Sequence, residues 1–137
     1  MTAITFTVPG PLRGKGRPRF GNGRTFTDSK TMTAEAFVRS CAALACPLAP
    51  IDGPVSLDIR ITRGIPKSWP NKRRQAALQG RLHATGKPDL DNVVKLVGDA
   101  LNGIIWRDDS QITSVTCSRH FGEVEQSVIS IQSLEAS

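Results

Sequence analysis

The sequence predicts a single α+β domain over residues 1–137, with a mixed or antiparallel sheet of about four or five strands packed with two or three helices. Three observations predict it. Strict apolar–polar alternation, as in Val55-Ser56-Leu57-Asp58-Ile59-Arg60-Ile61, marks half-buried strands. Longer stretches with apolar residues at every third or fourth position mark helices. A chain of 137 residues, 39% hydrophobic, is long enough for one core and shows no repeat and no long linker.

Ala3 to Val8 reads as the first strand, with Ile4, Phe6 and Val8 on one face, and Pro9 and Pro11 end it. PLRGKGRPRFGNGRTFT follows and reads as a basic loop, with five cations between Arg13 and Arg24 and no acid. A helix is expected from about Thr33, as cap, to Cys46, with Ala36, Phe37, Ala43 and Leu44 facing inward and Pro47 stopping it. The Val55 strand comes next, its apolar residues Val55, Leu57, Ile59 and Ile61 turned to the core. NKRRQAALQG reads as a short basic helix closed by Gly80. The spacing of Leu90, Val94, Val97 and Leu101 predicts a helix over about Asp89 to Asn102, terminated by Gly103. Ile112 to Phe121 and Ser127 to Leu134 alternate again and predict a hairpin turning near Gly122.

Charge is unevenly spread along the chain. Residues 1–87 carry 15 Lys and Arg against 4 Asp and Glu, whereas residues 88–137 carry 3 against 8. A basic body around a small acidic centre suits a protein that grips a polyanion and places a cation on it. No apolar run approaches the roughly 20 residues of a membrane-spanning helix, and MTAITFTVPG lacks the pattern of a signal peptide. A cytoplasmic location and no membrane association are therefore expected. Cys41, Cys46 and Cys117 form no CxxC and predict reduced, ordinarily buried thiols.

The chemistry concentrates in KPDLDNVVKLVGDALNGIIWRDDSQI, residues 87–112. Asp91 lies roughly 100° around the helix from Leu90, and Lys95 shares its face. Asp108 and Asp109 follow the helix, where a chain returning to the sheet edge could bring them to Asp89 and Asp91. Clustered carboxylates repel until a cation arrives. Mg²⁺ takes one or two of them and completes its shell with water and phosphate oxygens. Blander readings stand beside this one. Asp89 could cap the helix, Asp91 and Lys95 could form a surface pair worth about 0.3–0.5 kcal/mol, and Asp108 and Asp109 could be turn residues.

Taken together, KPDLDNVVKLVGDALNG, IIWRDDSQI and the basic loop GKGRPRF resemble the RusA family of Holliday-junction resolvases. PKSWP, KRR and TGKPDLDN resemble its phage-type members in particular. The likeness spans residues 6–133 and is most specific over Lys87–Gln111. It implies a homodimeric endodeoxyribonuclease dependent on Mg²⁺, with Mn²⁺ as a substitute, that nicks two strands of a four-way DNA junction symmetrically. It implies Asp89, Asp91 and Asp109 as catalytic carboxylates, Lys95 as the functional lysine, and Asp108 as a neighbouring acid, with Asp89, Asp91, Asp108 and Asp109 as candidate metal ligands. Better-known members carry arginines immediately before DLDN; here GKP stands there, and the basic cluster Lys72, Arg73 and Arg74 comes earlier.

The candidate DNA contacts are Arg13, Lys15, Arg17, Arg19 and Arg24 in the first loop, with Lys67, Lys72, Arg73, Arg74 and Lys87. Such cations position phosphates without reading bases. Phe20 and Phe26 are candidates to stack or wedge at a junction centre. Two other functions fit the same residues: a non-catalytic nucleic-acid-binding protein indifferent to Mg²⁺, and a flap or single-strand nuclease without preference for four-way DNA.

Overall fold

A computed structural model of the chain describes residues 3–12, 19–21, 24–26 and 29–135, with side chains over 3–12 and 33–135. Four strands form the main sheet: β1 (Ala3–Pro9), β4 (Val55–Gly64), β5 (Ile112–Gly122) and β6 (Gln126–Ser133). Their order is β1-β6-β4-β5. β6 runs antiparallel to both β1 and β4, and β5 runs parallel to β4, so the sheet is mixed. The helices are α1 (Ser29–Ala42), α2 (Asn71–Leu78) and α3 (Leu90–Ala100). The expected α+β class stands.

One face of the sheet is apolar because the alternation of β1, β4 and β6 falls in phase. Ile4, Phe6 and Val8, then Val55, Leu57, Ile59 and Ile61, then Ile129 and Ile131 are all buried. α1 and α3 cover that face with Val38, Ala42, Val93, Leu96, Val97, Ala100 and Leu101. Ile105 and Trp106, just past α3, join the same core and are fully buried. Burying each of these large apolar side chains contributes about 1.5–3 kcal/mol.

Several expectations are corrected. β5 and β6 do not form a hairpin: β4 lies between them, paired to each. A parallel partner for β4 needs a long crossover, and residues 65–111 with α2 and α3 supply it. α1 starts at Ser29, so Thr33 lies inside it rather than capping it, and it ends in a 3-10 turn over Ala43–Ala45. Its inward stripe is Ala34, Val38, Cys41, Ala42 and Ala45. Ala36, Phe37, Ala43 and Leu44 face solvent instead, Leu44 completely. The stripe of α3 centres on Val93, Leu96, Val97 and Ala100, with Leu90 and Val94 only at its margin.

The basic segment read as a loop carries two short antiparallel strands, β2 (Arg19–Gly21) and β3 (Arg24–Phe26). Among the described residues, no helix is long and apolar enough to cross a membrane.

Candidate active site

The start of α3 is held by two arginines from neighbouring strands. Arg119 on β5 donates through Nε to the Ala84 carbonyl at 2.8 Å, through Nη2 to Gly86 at 2.8 Å and through Nη1 to Pro88 at 2.6 Å. Arg63 on β4 donates to the carbonyls of Thr85 and Lys87, each at 2.5 Å. Five successive carbonyls of a segment without regular structure are thus satisfied by two planar forks. Burial, with Arg63 beside it, lowers the pKa of Arg119. The clamp sets where Asp89 begins the helix.

Asp89 occupies the N-cap position of α3. Its backbone carbonyl accepts from Asn92 and Val93 at 3.1 and 3.2 Å, but its side chain makes no capping hydrogen bond. The blander reading of Asp89 as a cap therefore fails. Asp91, in the first turn, and Lys95, one turn on, are both exposed and form no ion pair with each other among the described residues.

The segment after α3 is built around Trp106. Its indole Nε1 donates to Asn102 Oδ1 at 2.8 Å, and Asn102 Nδ2 reaches Asp109 Oδ1 at 3.4 Å. Asp109 opens a 3-10 turn over Asp109–Gln111, and Asp108 caps it, accepting from the Ser110 N–H at 3.0 Å. Gln111 completes the cap. Its Oε1 accepts from the N–H groups of Arg107 and Asp108, while its Nε2 donates to the carbonyls of Ile51 and Gly53. Arg107 pairs with Asp52. The side-chain and backbone hydrogen bonds of Ser110 hold the Asp108 carboxyl below the usual carboxylate range. The turn-residue reading thus holds for Asp108.

Asp109 lies against α3. A Cβ placed on Gly98 would stand 3.6 Å from Asp109 Cβ and 3.9 Å from its Oδ2. Asp91, Lys95 and Gly98 are spaced four and three residues apart, so they share one face of α3, and Asn102 follows just past its end. Along that face come the Asp91 carboxylate, the Lys95 ammonium and then Asp109, about 10 Å beyond Asp91 from the helical rise. The two ends of the motif therefore meet α3 on one side but not at one point. Among the described residues, no three His, Cys, Asp or Glu side chains lie close enough to hold one metal ion together. A site of one or two carboxylates is the usual Mg²⁺ arrangement, and the exposed, uncapped oxygens of Asp89 and Asp91 suit it in donor type.

Lys67, Lys72, Arg73 and Lys87 are exposed and Arg74 is half-buried. Arg74 donates to the Pro66 carbonyl at 3.1 Å, and Arg73 lies over the Trp69 ring. Arg13, Lys15 and Arg17, and the side chains of Arg19, Phe20, Arg24 and Phe26, lie outside the described residues. Sequence reasoning missed Arg63, Arg119 and Asn102. Arg63 and Arg119 bind backbone carbonyls far along the chain, which leave no trace in side-chain pattern. Asn102 lies just past the end of α3, where helical periodicity does not point to it.

Comparison with known proteins agrees with the motif. The family model for endodeoxyribonuclease RusA matches residues 9–132. "Uncharacterized protein YqaN" of Bacillus subtilis (strain 168) is 37% identical over 142 residues, covering 99% of this chain and 100% of that protein.

Proposed function

The chain belongs to the RusA family of endodeoxyribonucleases, and on that premise we propose that it resolves four-way DNA junctions by Mg²⁺-dependent hydrolysis, nicking two strands symmetrically as a homodimer. One observation carries the reading beyond the family. In a segment where Asp108 is consumed by a cap, Asp89 takes a cap position and leaves its carboxylate unspent beside Asp91. Helices favour a capping bond there by about 1 kcal/mol, so an exposed side chain that forgoes it is available for a ligand.

In this reading Asp89 and Asp91 would hold Mg²⁺. When bound, the ion polarises the scissile phosphate and lowers the pKa of bound water towards neutrality. Lys95, between Asp91 and Asp109, stabilises charge developing on the phosphate. Asp109, oriented by Asn102 and Trp106, accepts a hydrogen bond from the attacking water. Asp108 acts on Asp109 through the turn it caps. Mn²⁺, another ion that favours oxygen ligands, substitutes for Mg²⁺.

The basic first 87 residues supply the grip on phosphates. A two-fold dimer presents one such site to each of two equivalent strands. The test is incubation of a labelled four-way junction and a matched linear duplex with Mg²⁺ and with EDTA. Nicks on the junction alone, absent in EDTA, are the expected result. Equal cutting of forked, linear and four-way DNA would assign a less selective nuclease. Binding without cutting would assign a non-catalytic DNA-binding protein.

A further inference from the structure

A concavity lies beside the Arg63 clamp. Trp69 meets Phe121 edge-on, their ring centroids 5.3 Å apart and their planes inclined by 62°. The Arg73 guanidinium lies 3.9 Å from the centre of the Trp69 ring. With Arg63, Leu82, His83 and Thr85 they line a cavity of about 340 Å³, and among the described residues no acidic side chain lines it. That volume lies within the roughly 300–1,000 Å³ range of small-ligand sites. Apolar flat surfaces with cations and no acid fit a planar ligand that carries negative charge nearby.

The place of the cavity narrows the ligand further. Arg63 and Thr85 line it, and Arg63 also donates to the carbonyls of Thr85 and Lys87. Thr85 precedes Asp89 by four residues, at most about 14 Å of extended chain. DNA engaged at Asp89 is thus within reach of the cavity. Resting on the reading of the chain as a junction nuclease, we propose that this cavity receives one unstacked nucleobase of the bound DNA. The base stacks on the Trp69, Phe121 and Arg73 surfaces, and its phosphate faces the rim cations. Every base has a π face, so the contact does not depend on sequence. Extruding a base costs unstacking and unpairing, and continuous stacking is interrupted at a branch point. The cavity thus favours branched over linear DNA.

Trp106 is fully buried, so Trp69 is the tryptophan that a ligand from solvent reaches. The test is quenching of tryptophan emission in EDTA by the hexanucleotide (dT)6, against a hexamer of the same length made of abasic residues. Expected are quenching by (dT)6 alone and, with the variants titrated by fluorescence anisotropy of end-labelled (dT)6, about tenfold weaker binding in Trp69→Ala. Trp69→Phe should keep most of the affinity. Thr85→Glu, at an exposed position of the lining, should weaken binding with the circular dichroism unchanged. Affinity for a four-way junction should fall in Trp69→Ala while affinity for a linear duplex holds. Equal binding and quenching by the abasic oligomer, or unchanged (dT)6 affinity in Trp69→Ala and Thr85→Glu, overturns the proposal. Because binding is read without metal, failure of cleavage and failure of the base site are separate results.

Discussion

Asp108 and Asp109 are neighbours with different main partners. Asp108 turns back onto Ser110 and caps; Asp109 turns onto Gly98 and Asn102 of α3. Asn is as good a cap as Asp, so Asp108→Asn should keep the turn and most of the activity. Asp109→Asn should lower cleavage by ~10²–10⁴-fold and leave junction binding intact, as single-turnover assays beside binding titrations would read. The depressed pKa of Asp108 also sets a pH dependence. Its contribution to stability is present above the unfolded value of about 3.9 and is lost as pH falls through the lower folded value. The stability difference between wild type and Asp108→Asn should therefore vanish in acid, as urea unfolding at stepped pH would record. Asn102→Ala should cost about 1–3 kcal/mol by the same method, because it strands the buried indole N–H of Trp106.

At the scale of elements, α3 and the segments at its two ends carry the candidate site. Gly98 is where the Asp109 turn approaches the helix, and an added methyl would make only ordinary contact there. Gly98→Ala should therefore stabilise the protein by about 0.5–1 kcal/mol through helix propensity, seen as a higher denaturation midpoint. Gly98→Leu should displace Asp109 and reduce cleavage. Arg119→Lys cannot reproduce a three-carbonyl fork, so the first amides of α3 should exchange hydrogen faster. The existence of α3 and its apolar face were legible because 3.6-residue periodicity is local. Of the expected stripe, Val97 and Leu101 are fully buried, whereas Leu90 and Val94 are only half-buried and Val93, Leu96 and Ala100 share the centre. The α1 face was missed altogether: Phe37 and Leu44 are large and apolar yet exposed, while small Ala42 and Cys41 pack inward. Alternation identified β5 and β6 but not β4 between them, because pairing is set by the crossover rather than by either strand.

Across the whole molecule, the sheet class and the acidic motif were legible, and the support of the motif was not. Asp89, Asp91, Lys95, Asp108 and Asp109 fall within one stretch of 21 residues, so sequence alone places them together. The arginines that fix that stretch come from β4 and β5 and reach backbone carbonyls 22 to 35 residues away in the chain. The separation of Asp109 from Asp91 along α3 likewise follows from how far the chain folds back after Gly103. The division of charge between a basic body and an acidic centre predicts binding that is steep in salt. Junction affinity should fall by about 10³-fold or more between 50 and 200 mM salt if six or more phosphates are contacted, as fluorescence anisotropy would measure. The most direct test of the account is strand-resolved cleavage of a four-way junction by wild type and Asp91→Asn in Mg²⁺, with the products treated with ligase. Paired, ligatable nicks at symmetric positions are expected from the wild type, and binding without nicks from the variant. Undiminished cutting by Asp91→Asn would contradict that expectation.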